Sequence, residues 1–187
     1  MYPLVRFVKE LVKFRKAPPL PSTGVHVSHH MCWPWDLDPW MELNTGRTLT
    51  LYDLGRVPLV MRTGLIGTLR SQGWGITVAG STVRYRRRIR LFHRFTMISR
   101  TLGWDGRFFY IEQSIWMGGE CCNHMLLRAA ITSDQGIVAP DRVMAAVGQP
   151  VESPALPDWV LAWIEAESMR PWPPPLPENA ARAALAS

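Results

Sequence analysis

A chain of 187 residues, 47% of them hydrophobic and 19% charged, can build one domain with a full core and is too apolar to be wholly disordered. Its net charge of +6 is carried almost entirely by arginine, since Lys9, Lys13 and Lys16 are the only lysines, and planar guanidinium groups suit phosphate and carboxylate partners. Cys32, Cys121 and Cys122 cannot form a disulfide framework, and no stretch reaches the roughly 18 apolar residues that span a bilayer, so a cytoplasmic setting is expected.

The first predicted element is a helix over residues 3 to 14, with Leu4, Val5, Val8, Leu11 and Val12 on one face and Arg6, Lys9 and Lys13 elsewhere. Two readings stay open for it: a helix folded back on the domain, or a peripheral contact with an anionic membrane. Charged residues interrupt its apolar ones, which does not suit a secretory signal. The Ala17-Pro18-Pro19-Leu20-Pro21 run ends it, because proline stops helices.

Val25 to Trp33 reads as a strand. Asn44 or Thr45 is a candidate N-cap for a helix to about Arg62, with Leu49, Tyr52 and Leu59 inward, Pro58 kinking or ending it early and Gly64 closing it. Strands follow from Gly73: Trp74, Ile76 and Val78 alternate, as do Phe95, Met97 and Ser99. Gly103-Trp104-Asp105-Gly106 is a turn leading into Phe109 to Met117. Gly118-Gly119 breaks that strand before Met125 to Ile131. A last helix covers Asp158 to Met169, ahead of a proline-rich arm. One long helix between a first strand and a meander can bury its apolar side only if the sheet wraps it, which is an α+β arrangement. The expected organisation is 1–21 as amphipathic helix and Pro-rich linker, 22–150 as the main domain, and 151–187 as C-terminal helix and Pro-rich tail.

The stretch Trp35-Asp36-Leu37-Asp38-Pro39-Trp40-Met41-Glu42-Leu43-Asn44-Thr45-Gly46-Arg47 precedes Tyr52-Asp53-Leu54-Gly55-Arg56. Further on come Arg84-Tyr85-Arg86-Arg87-Arg88-Ile89-Arg90 and Leu102-Gly103-Trp104-Asp105-Gly106-Arg107-Phe108-Phe109. In this order, over about residues 25 to 147, the segments resemble the thioesterase-like superfamily of the 4-hydroxybenzoyl-CoA thioesterase type, closest to the branch of thioesterase superfamily member six. The resemblance implies a hotdog fold: an antiparallel sheet wrapped around one long central helix, here with extra N- and C-terminal helices. It also implies an acyl-CoA thioesterase that needs no cofactor, working as a homodimer or tetramer with its site at the subunit interface.

Carried over by position, Asp38 is the catalytic carboxylate, as nucleophile or general base. A carboxylate beside a thioester can attack it or activate water if N–H donors hold the oxyanion. The helix start at Asn44, Thr45 and Arg47 is the candidate donor and substrate-binding region. Met41 stands where the family has glycine, Glu42 where it has histidine, Thr45 where it has its second asparagine, and Thr48 where it has tyrosine. Glu42 is therefore a second candidate base, and the alternative to hydrolysis is a non-catalytic hotdog dimer that binds acyl-CoA or lipid or is associated with a membrane.

Asp36 is the structural member of the Asp-x-Asp pair, and Asp53 with Arg56 is an i, i+3 ion pair. Arg84, Arg86, Arg88 and Arg90 fall on one face of an extended strand. They are either a solvated face or, for Arg86 and Arg88 above all, a hold on the phosphates of CoA. No nucleic-acid partner is expected, since no recognition motif accompanies these arginines. No metal is expected either, because the spacing of His26, His29, His30, Cys32, Cys121, Cys122 and His124 matches no tetrahedral pattern.

Overall fold

The computed structural model describes residues 2–176, and it divides after Pro154 into two units, each described by itself. In the first, the strands β1 (Val25–Met31), β2 (Gly75–Tyr85), β3 (Arg94–Trp104), β4 (Phe109–Met117) and β5 (Glu120–Ser133) form one antiparallel sheet in the order β1-β3-β4-β5-β2. A short β6 (Gly136–Val138) pairs with the end of β5. The register slips between Val78 and Gly80, Thr101 and Gly103, and Ile115 and Trp116. Each slip adds local twist and bends its strand, which curls the sheet into a trough.

Helix α2 (Thr45–Arg62) lies in that trough. Leu51, Tyr52, Leu54 and Leu59 are fully buried against Met97, Ile111, Ile115, Met125 and Leu127, which the period-2 alternation of β3, β4 and β5 places on one face. Gly55 allows the closest approach: a Cβ there would come within 2.6 Å of Ser99 Oγ and 2.7 Å of Met97 Sδ. This is the hotdog arrangement expected from the sequence. Its inner face differs in one detail, since Leu49 is exposed and Leu51 and Leu54 take its place.

Pro58 does not end α2; the helix runs four residues past it. Pro58 is buried, and the core packing of Leu59 and Val60 continues the helix past the missing N–H. Two short helices were not visible in the pattern: α3 (Leu65–Gln72) and α4 (Pro140–Val147). They enclose a second core of Leu69, Trp104, Phe109, Ile131, Val143 and Met144. The turn after β3 lies slightly later than expected. Trp104 is buried strand, and Asp105 closes the turn by accepting the N–H groups of Arg107 and Phe108 at 2.7 and 2.8 Å.

Helix α1 (Leu4–Phe14) sits over α2 and the β1 edge. It is attached by Phe7, by the Phe14 ring edge-on to His26 at 4.4 Å, and by Arg6. The second unit holds α5 (Asp158–Met169), an Arg170–Glu167 ion pair and an irregular stretch to Leu176; the rest of the expected Pro-rich tail lies outside the described residues.

Candidate active site

Between β1 and α2 the chain must cross from sheet to helix in 13 residues, and it does so in a doubled-back turn. A single 3-10 turn, Pro34–Asp36, is followed by antiparallel bridging of Leu37 to Leu43 and of Glu42 to Arg90. Asp38 N–H donates to the Glu42 carbonyl at 2.8 Å, and Asn44 N–H donates to the Asp36 carbonyl at 2.9 Å. The tip is Met41, at φ +60°, the left-handed region that a side chain occupies at a cost.

The two aspartates have separate tasks. Asp36 is fully buried, and its carboxylate is held by Arg6 at 2.6 Å, Arg47 at 2.6 Å and the Trp33 N–H at 3.0 Å. It ties α1, the 3-10 turn and α2 together. Asp38 is half-buried, and only its Oδ1 is engaged, accepting from the N–H of Trp40 at 2.9 Å and of Glu42 at 3.2 Å. Its Oδ2 has no hydrogen-bond partner among the described residues. Accepting N–H groups two and four residues further on is a local turn motif, and it leaves the second oxygen available to a ligand.

Glu42 turns to Arg88, with 2.9 Å between carboxylate and guanidinium. Asn44 caps α2 by accepting the Arg47 N–H at 3.0 Å, while the N–H groups of Thr45 and Gly46 at the helix start have no side-chain cap among the described residues. The Thr45 carbonyl accepts from the Tyr85 hydroxyl at 3.3 Å, which brings the end of β2 against the helix start. The structure therefore brings Glu42 to Arg88 and the start of α2 to Tyr85, while Asp38 shares its turn with Glu42. Arg47 is directed into the ion pair with Asp36.

The arginine run is not one strand face. β2 stops at Tyr85, and the N–H groups of Arg86 and Arg87 both donate to the Cys122 carbonyl, which turns the chain out of the sheet. Ile89 is buried, whereas Arg84, Arg86, Arg88 and Arg90 are exposed. Arg87 pairs with Glu120 at 3.1 Å.

A polar hollow of about 390 Å3 lies at the start of α2, touching Trp35, Leu37, Asn44 and Arg47. It shares Tyr2, Trp35 and Arg47 with a larger open groove of about 1290 Å3, walled by Met31, Trp33, Phe95, Trp116 and Met117. Sequence reasoning did not find this groove. The tryptophans at 33 and 35 were its only visible trace, and they stack in parallel with ring centres 5.3 Å apart.

Burial first, then the nearby Asp36 charge, pushes the Cys32 thiol up to about 11, so it is no ready nucleophile. Burial and neighbouring cations hold His26 down at about 4 and His30 at about 3, which leaves both imidazoles neutral. Among the described residues, no three His, Cys, Asp or Glu side chains converge as a metal site would require.

The profile of the thioesterase-like superfamily matches residues 32–164. A Xenopus laevis protein named THEM6 is 34% identical over 135 residues, a match that spans 71% of this chain and 63% of that protein. The Drosophila melanogaster protein of the same name is 27% identical over 147 residues, covering 77% of this chain and 74% of the relative. Among solved structures, an oleoyl thioesterase (putative) from Lactobacillus plantarum superposes with a TM-score of 0.61 at 18% identity, over 72% of this chain and 55% of that one. A hypothetical Staphylococcus aureus protein in complex with CoA gives a TM-score of 0.59 at 10% identity, over 74% of this chain and 92% of that one. At these identities the structures speak for the fold.

Proposed function

The chain belongs to the thioesterase-like superfamily, and from that premise we propose that it hydrolyses an acyl-CoA thioester to the free acid and CoA, with Asp38 as the working carboxylate. The observation that carries this reading is the Asp38 side chain, held through Oδ1 by two N–H groups and open at Oδ2. In one route Oδ2 attacks the thioester carbonyl and expels CoA thiolate; water then opens the resulting anhydride. In the other it takes a proton from water, which attacks instead. Both consume one water and release one thiol. Either needs donors for the oxyanion, and the uncapped N–H groups of Thr45 and Gly46 at the positive end of α2 suit that role.

The exposed Arg86 and Arg88 suit the phosphates of CoA, and the aromatic groove that joins the hollow at the start of α2 suits the acyl portion. Glu42, next in the turn, is the second candidate base. A homodimer is part of the same reading. β2 pairs only with β5 among the described strands, so its other edge is open, and Ile76 and Val78 are 46% and 54% exposed along it. An apolar edge strand of this kind is a pairing surface.

One observation favours a second reading, acyl-CoA binding without turnover. Glu42 replaces a histidine and is ion-paired with Arg88, which occupies both a candidate base and a candidate phosphate ligand. Free-thiol release from a panel of acyl-CoAs separates the two. The first reading requires release that Asp38→Ala abolishes. Ligand-raised melting temperature with no thiol release from any acyl-CoA would select the second.

A further inference from the structure

Helix α1 is attached to the domain inside out. Arg6 points inward to Asp36 at 2.6 Å and to the Met31 carbonyl at 3.0 Å, and Glu10, the only acid of the helix, is 1% exposed. The aliphatic residues take the opposite side: Leu4 is 63% exposed, Val5 86%, Val8 54% and Val12 66%. At 100° per residue Leu4, Val8, Val12 and Val5 form one stripe along the helix. Lys9, Lys13, Arg15 and Lys16 flank it, all exposed, and they include every lysine in the chain. Rolling the helix over to hide the stripe would bury lysines and break the Arg6–Asp36 pair. The stripe is therefore left without an apolar partner among the described residues.

We infer that the outward face of α1 seats the protein on an anionic lipid bilayer. Apolar side chains dip into the acyl boundary while lysines reach the negative headgroups, the chemistry of an interfacial helix. Turning Glu10 inward leaves the outer face with positive charge alone. Trp35, stacked on Trp33 and 65% exposed, lines the same groove as Leu4 and Val5. An indole there suits the headgroup zone. A second copy of the chain is the poorer occupant. A two-fold axis would set this lysine-flanked face against itself, and like charges across an interface oppose docking. The inference does not depend on the thioester reading, because vesicle binding needs no turnover at Asp38, although Leu4, Val5 and Trp35 line the groove assigned there to the acyl portion.

The test is flotation of the full chain with phosphatidylcholine vesicles, with and without phosphatidylglycerol. Binding is expected to the anionic vesicles, to weaken with salt, and to be small on phosphatidylcholine alone. Replacing Lys9, Lys13 and Lys16 together by Gln should lower partitioning about a hundredfold, at the usual contribution of a basic residue near an anionic surface. Val5→Ser, Val8→Ser and Val12→Ser combined should release the protein while its melting temperature stays at the parent value. No binding to anionic vesicles, or either variant binding like the parent, overturns the inference. So does a fall in solution mass of the serine variant without vesicles, which would assign the stripe to a second copy.

Discussion

Replacing Asp36 by Asn keeps the shape of the side chain and removes its charge. The buried carboxylate neutralises Arg6 and Arg47, whose side chains are only 16% and 13% exposed. Without it, two guanidinium groups are left close together with little water to screen them. Removing one partner of a buried ion pair costs about 3–5 kcal/mol, and the residual access of the two arginines puts this case near the lower figure. Against the roughly 5–15 kcal/mol of an ordinary domain, a loss of about 3 kcal/mol is large. Urea denaturation should show the midpoint falling with the slope unchanged, and the melting temperature should drop by about 6–12 °C. Asp38→Asn, two residues on, keeps an Oδ1 to accept from Trp40 and Glu42 and should lose less than about 1 kcal/mol. If Asp36→Asn costs under about 1 kcal/mol, or Asp38→Asn costs as much, the division of labour between the two aspartates is wrong.

Met41→Gly relieves a left-handed residue at the turn tip and should stabilise by up to about 1 kcal/mol in the same assay; destabilisation would show that the Met41 side chain contributes more than its backbone costs. Gly55→Ala pushes a methyl group against Ser99 and Met97 and should lose about 1–3 kcal/mol despite the better helix propensity of alanine, whereas a neutral result would mean that β3 can yield there. His26 is held at about 4 by burial, then by Arg62 and Lys13, against an ordinary 6.5. The unfolded chain therefore binds more protons in that interval, and stability present above about pH 6.5 is lost as pH falls toward about 4. Glu10, raised by burial, pulls the opposite way over its own range. Denaturation midpoints taken across the interval should fall less steeply for His26→Gln than for the parent; parallel profiles would refute the assignment.

Much of the fold was legible because its signals are local. The alternation Phe95-Met97-Ser99 and Phe109 to Met117 marks two strands whose inner faces are set by period alone, and Asn44 caps α2 where its side chain says it should. Pro58 misled because the rule for proline is local, while its surroundings are a packed core that carries the helix onward. Helices α3 and α4 are 8 residues each, too short for a helical period to stand out in the sequence. The arginine run from 84 to 90 looked like one strand face; the Cys122 carbonyl, far along the chain, draws Arg86 and Arg87 out of the sheet. In α1 the apolar stripe was plain, but which way it faced was not. That depends on Arg6 finding Asp36 across 30 residues, and on Glu10 being buried. For the candidate site, Asp38, Glu42 and the helix start were named by the family resemblance and not by the spacing of the residues themselves. It could not show that one oxygen of Asp38 is tied into a turn and the other is open, nor that Arg47 is directed to Asp36.

The most direct measurement is steady-state hydrolysis of a turned-over acyl-CoA by the parent chain and by Asp38→Asn, with folding matched by circular dichroism. The parent should release CoA thiol, and kcat should fall by about 10²–10⁴ for Asp38→Asn, the range for loss of a positioned acid–base group. An Asp38→Asn protein that hydrolyses as fast as the parent would contradict the role of Asp38 as the working carboxylate.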